Sequence, residues 1–151
     1  MLRWNNKKGF TLVELVIVIA ILGILAMYAL PKYQGIIKEA RSSEAQAQLG
    51  SVRSALGIYY AKNHGVYPAQ LDGTIFADGS VPEVEVTDSN GTVVKSNAVA
   101  TGNGDGVVAS SEVTDAGGWI YDVKSDTYDK ADVRINSKGT DPVTGKYWYQ
   151  Y

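Results

Sequence analysis

From Phe10 to Leu30 the chain runs through twenty-one residues whose only ionisable side chain is Glu14. Coiled as a helix, a stretch of that length spans the hydrocarbon of a bilayer. Beyond Pro31 the pattern becomes periodic. Ala45, Leu49, Val52, Leu56 and Tyr59 recur at helical spacing and mark one face, while Lys38, Arg41, Gln46, Gln48 and Arg53 occupy much of the rest. Ala40, Ala47 and Ala55, with Gly50 and Gly57, keep this helix slim. His64-Gly65-Val66-Tyr67-Pro68 ends it, with Gly65 at the C-terminal cap and a proline beyond. Pro31 has no N–H to give and its ring crowds the preceding turn; with Gly23 it predicts a kink or local melting in the first half of the helix.

After Tyr67 the period shortens to that of strands. Short runs of β-branched and polar residues, with Val84 and Val86 before and Val93 and Val94 after, are interrupted by Asn90-Gly91, a hairpin signal. Gly117-Gly118 leads into Trp119 to Val123, and Ala131 to Asn136 forms a further strand after a polar turn. Trp119 or Tyr121, with Val133 or Ile135, is expected to cover the helix stripe. The predicted fold class is α+β: a long N-terminal helix, membrane-spanning in its first half and amphipathic in its second, packed on a small antiparallel sheet. Its segments are residues 10–30, 31–64 and 65–151.

The 151 residues suffice for one membrane segment and one small core. With no cysteine there is neither a disulfide nor a thiolate metal site. The net charge of −2 conceals an asymmetry: residues 1–62 hold eight Lys/Arg against three Glu, and residues 63–151 hold six against thirteen acids. Such an acidic C-terminal half is a poor match for phosphate backbones, so nucleic acid is not an expected partner. Arg3, Lys7 and Lys8 before the apolar run place the N-terminus in the cytoplasm and the C-terminal part outside.

Glu14 needs a reason, since a charged side chain at the centre of a membrane helix costs about 2.5–3.5 kcal/mol. Lys7-Lys8-Gly9-Phe10-Thr11-Leu12-Val13-Glu14 resembles the class III leader of type IV pilins and type II secretion pseudopilins. The resemblance implies that residues 1–9 are a leader, that a prepilin peptidase cuts between Gly9 and Phe10, and that the new amino group of Phe10 is methylated. It also makes Phe10 and Glu14 the assembly residues. A cut there exposes an amine with an ordinary pKa of about 7.7–8. Pairing Glu14 of one subunit with the Phe10 amine of another matches two desolvated charges and sets axial register. A competing pairing runs from Glu14 back to its own first turn. In the same family a glycine and a proline stand where Gly23 and Pro31 do, and the segment between them loses helicity in filaments. The Tyr67-Pro68 junction and the run from Gly117 to Tyr151 resemble pilins more loosely.

One chemical motif lies in the middle. Thr101, Asn103, Asp105, Gly106 and Glu112 follow the spacing of a calcium loop, with threonine where aspartate is usual. Two readings stand for Asn103, Asp105 and Glu112: calcium ligands, or a Gly/Asn-rich surface loop. No cofactor is required otherwise. Asp122, Asp126, Asp129 and Asp132 read as a solvated acidic turn, His64 as a solvated cap, and Tyr147, Trp148, Tyr149 and Tyr151 as a packed aromatic tail. Asn90-Gly91-Thr92 is a glycosylation triplet. No recognisable catalytic order is present, so an enzyme is not expected.

The function expected is a major-pilin-like subunit of an extracellular type IV pilus, polymerising through its N-terminal helix as a helical homo-oligomer. Its partners are the prepilin peptidase, the inner-membrane assembly machinery and, as a precursor, the membrane. The alternatives are a pseudopilin confined to the periplasm in a type II secretion system, a signal-anchored surface binding module, and a DNA-uptake pilin.

Overall fold

The computed structural model describes residues 9–151, so Arg3, Lys7, Lys8 and the leader ahead of Gly9 lie outside the described residues. The chain divides into two units, Met1–Ile37 and Lys38–Tyr151. One helix, α1, is assigned from Leu12 to Lys62. In the first unit every large apolar side chain from Phe10 to Ile37 is exposed. That stretch is long and apolar enough to cross a membrane. The helix continues through Gly23 and Pro31, where a kink or melting was expected. Pro31 removes only the hydrogen bond to the Met27 carbonyl, and the turns on either side keep theirs.

In the second unit α1 buries Ser42, Ala45, Leu49, Val52 and Leu56, the stripe read from the sequence plus one serine. Tyr59, at the end of the stripe, is half-buried. Strands β1 (Val84–Thr87) and β2 (Val93–Ser96) form the expected antiparallel hairpin. A second sheet has the order β3-β4-β5, built from Val99–Thr101, Trp119–Val123 and Ala131–Ile135. β4 and β5 are antiparallel, but β3 runs parallel to β4. The sheet is therefore mixed, which the purely antiparallel expectation missed. A parallel pair needs a long crossover, and residues 102–118 supply it.

The alternation of β4 sends Trp119, Tyr121 and Val123 to one face, where they join Val133, Ile135 and the α1 stripe in the main core. Both members of each expected pair take part. Full burial of each leucine or valine here contributes about 1.5–3 kcal/mol. Indole and phenol hydrogens find carbonyls at the edge of the core: Trp119 Nε1 donates to Pro82 O at 2.7 Å and Tyr121 Oη to Pro68 O at 2.7 Å. On the opposite face Ile120 packs with Val108 and Val113 of the crossover. Residues 102–118 thus cover the sheet's second face. Gly118 enters β4 at φ +73°, and a Cβ there would lie 2.3 Å from the Ala98 carbonyl oxygen, which accepts the Trp119 N–H at 2.8 Å.

Asp122 corrects the solvated-turn expectation. It is fully buried, with Oδ1 accepting the Gly104 N–H at 2.8 Å, whereas Asp126 and Asp129 are exposed. Asp132 is half-buried and pairs with Arg134 Nε at 2.8 Å. The odd positions of β4 face the helix, so an even-numbered acid falls on the face closed by the crossover. The aromatic tail also divides: Trp148 is buried and donates to Thr87 Oγ1 at 3.2 Å, while Tyr147 is exposed.

Asp141 fastens the tail to α1. Its Oδ2 accepts from Ser42 Oγ at 2.9 Å, Thr144 Oγ1 at 2.9 Å and Tyr151 Oη at 2.6 Å, and its Oδ1 accepts the Val143 N–H at 2.9 Å. Burial raises this carboxyl, but the bonds from Tyr151, Val143, Ser42 and Thr144 together bring it down from an ordinary 3.8 to about 2. A lowered acid stabilises the fold above its unfolded pKa, and the contribution is lost as pH falls through the folded value. In the full chain in detergent, the wild type should lose roughly 2 kcal/mol of stability between pH 5 and pH 2 through this group. Asp141→Ala should lack that part of the acid dependence and be less stable at pH 7 by about 2–4 kcal/mol. Urea titrations at the two pH values check both.

Helix α1 stops because His64 and Gly65 turn left-handed, at φ 56° and 86°. The Gly65 N–H then returns to the Tyr60 carbonyl at 3.0 Å. The histidine, not the expected glycine, takes the first left-handed position. His64→Gly should therefore raise stability by up to about 1 kcal/mol, read as a higher melting temperature.

Candidate functional site: the head of the N-terminal helix

Gly9 and Phe10 lie in exposed, non-helical backbone directly before α1. A Cβ at Gly9 would meet nothing within 4 Å, so no contact within the described chain requires glycine there. Phe10 is 90% exposed, and its ring packs on no other aromatic ring among the described residues. An exposed Gly-Phe bond is open to an external peptidase.

Thr11 and Glu14 close the helix end. Glu14 N–H donates to Thr11 Oγ1 at 3.2 Å, and Thr11 N–H donates back to Glu14 Oε2 at 2.9 Å. Thr11 Oγ1 also donates to Glu14 Oε2 at 3.0 Å, and the Leu15 N–H to Thr11 O at 3.3 Å closes the first turn. This is a reciprocal capping box, worth about 1 kcal/mol to the helix, with a negative charge at the positive end of the helix dipole. Sequence reasoning anticipated the return of Glu14 to its own first turn but overlooked Thr11 as the cap; the Thr-x-x-Glu spacing carried that signal. Glu14 Oε1 accepts no hydrogen bond among the described residues. One oxygen thus serves the helix while the other is open to an outside donor.

Gly23 and Pro31 lie farther along the same helix, away from this end, and both are exposed. The calcium-loop residues lie in the second unit. There Glu112 Oε1 accepts the Asn103 N–H at 2.7 Å and Oε2 the Ala109 N–H at 2.6 Å. Asn103 Oδ1 accepts from Asp105 N–H at 3.0 Å, and Asp105 Oδ1 from Val107 N–H at 2.8 Å. Both Glu112 oxygens and one side-chain oxygen each of Asn103 and Asp105 are turned to the loop's own amides. No group of three or more His, Cys, Asp or Glu converges among the described residues. As arranged, these oxygens clasp the crossover that covers β4. His64 is exposed at the helix end.

An exposed apolar helix capped by a threonine and a glutamate, directly behind an exposed Gly-Phe bond, has the form of a subunit anchored by its N-terminal helix. Residues 4–30 match the family described as the prokaryotic N-terminal methylation motif. The chain is 39% identical to the fimbrial protein EcpC of Eikenella corrodens over 70% of its own length and 62% of that protein's. It is 42% identical to a fimbrial protein of Neisseria meningitidis over 71% of its length and 58% of the relative's. It is 45% identical to the type IV major pilin protein PilE of Neisseria gonorrhoeae over 58% and 54% of the two lengths. The matches thus span less than two thirds of each of these relatives. No solved structure matches the chain. By motif and by these likenesses the chain is type IV pilin-like.

Glu112→Ala removes both clasping bonds and should lower stability by about 1–3 kcal/mol. The loss should be equal in chelator and in millimolar calcium, measured by thermal melting of the full chain.

Proposed function

We propose that this chain is the structural subunit of an extracellular type IV pilus, held in the inner membrane as a precursor and polymerised through its N-terminal helix. The observation that carries the reading is the exposed Gly9-Phe10 bond four residues ahead of Glu14, which has one oxygen without a hydrogen bond among the described residues and sits at the start of a helix apolar enough to cross a membrane. The prepilin peptidase cuts after Gly9 and methylates the amine of Phe10. That amine, on a neighbouring subunit, donates to the free Glu14 oxygen, so each subunit's acid fixes the depth of the next. The apolar side chains exposed from Phe10 to Ile37 then pack against those of other copies, and the acidic second unit faces outward. The role is structural, not catalytic. The relatives named as fimbrial and major pilin proteins favour a surface filament over a periplasmic secretion pseudopilus.

Mass spectrometry of the native product should show a chain beginning at N-methylated Phe10. A product retaining residues 1–9, or lacking the whole apolar run, contradicts the reading. Gly9→Val should leave the precursor uncut.

The charge of Glu14 can be separated from its capping role, because glutamine also completes the box. Glu14→Gln should insert normally yet reduce filament yield at least tenfold, as should Glu14→Ala. Normal filaments from Glu14→Gln would assign Glu14 to helix capping alone.

A further inference from the structure

Two separate clefts of the second unit carry opposite charge. The first lies beside α1, lined by Glu44, Gln48, Phe76, Asp78, Glu83 and Lys95 among others. Its one cation is already committed, since Lys95 Nζ lies 2.9 Å from Glu83 Oε2. The bond and charge of Glu83, with Glu85 and Glu44 beyond it, hold this amine above its ordinary value. Glu44 and Asp78 form no ion pair among the described residues, so the groove keeps a surplus of negative charge.

The second cleft is lined by Lys38 at the start of the unit's helical segment, Lys138, Asp88, Asn90, Thr140 and Tyr147. Neither lysine forms an ion pair among the described residues. The cleft's one carboxylate, Asp88, turns Oδ1 to the N–H groups of Asn90 at 2.9 Å and Thr92 at 2.7 Å. The surrounding unit is acidic, with ten Lys/Arg against fifteen Asp/Glu from residue 38 onward. Two uncommitted lysines in one cleft are therefore a local reversal.

The clefts share no lining residue and belong to one unit, so they cannot close on each other within a molecule. Opposite patches on different surfaces of one chain make a heterologous contact, which propagates head to tail and yields an open helix when the rotation does not close. We infer that the Lys38/Lys138 cleft of one copy docks on the Glu44/Asp78 groove of the next. This rests on the polymer reading above and adds an outer contact to it. Each exposed pair contributes little by itself, but like charges brought together in a wrong register repel, so the contact selects register more than it adds affinity.

The test uses the chain expressed in full, cut at Phe10 and assembled into filaments at low salt. The cleft variant Lys38→Glu/Lys138→Glu and the groove variant Glu44→Lys/Asp78→Lys should each cut filament mass at least tenfold. Their combination should restore it to within about twofold, as a coupled pair does. Melting temperatures in detergent, unchanged across the set, show that folding is intact. Wild-type filaments with both charge-reversed variants assembling normally overturn the contact alone, as does a combination no better than its parts. If the cleft variant assembles normally but loses binding to polygalacturonate, the cleft serves an acidic saccharide and the contact is wrong. A wild type that is cut at Phe10 yet forms no filaments overturns the polymer reading and this contact with it.

Discussion

The helix stripe formed by Ala45, Leu49, Val52 and Leu56 has to be removed from water, and the rest of the second unit is arranged to do that. Trp119, Tyr121 and Val133 meet it from the sheet, and Trp148 closes the margin. A stripe of two leucines, a valine and an alanine is too narrow to hold a helix by itself in water, because isolated helices are marginal without tertiary packing. Polar groups at the rim convert that apolar contact into a fixed position. Asp141 reaches Ser42 on the helix, and Arg53 reaches the Val133 carbonyl at 3.2 Å.

The first unit obeys a different rule. From Leu15 to Leu30 its helix carries no charged side chain and its large apolar side chains are exposed, so nothing among the described residues covers them. An all-apolar helix is at rest only in lipid or among other helices. The capping box at Thr11 and Glu14 then solves a local problem: four amides at a helix start have no carbonyl partner, and in hydrocarbon each is costly. Glu14 meets part of that need with one oxygen, and the other accepts no hydrogen bond among the described residues. Capping therefore leaves room for the proposed pairing with a neighbour.

Much of the architecture was legible because it rests on periodicity. The apolar run, the stripe, the Asn90-Gly91 hairpin and the strands at Trp119 and Ala131 follow from side-chain spacing alone. Less legible were features that depend on which face a residue meets. Asp122 sits in an acidic sequence run, yet it lies under Gly102 and Gly104, where a Cβ at Gly102 would come within 2.6 Å of it. Spacing can suggest a calcium loop at Asn103, Asp105 and Glu112. Only coordinates show that their oxygens turn inward to backbone amides.

The sequence by itself determined the leader-like head, the apolar run, the buried stripe and the α+β class, since each is a local pattern whose meaning does not depend on distant residues. Tertiary structure alone decided that β3 is parallel to β4, that residues 102–118 roof the sheet, and that Asp141 joins the tail to Ser42. These are pairings between segments far apart in the chain, and composition does not specify which distant partner a strand edge or a carboxylate will find. That choice is made by the shape left once the helix and its stripe have been covered.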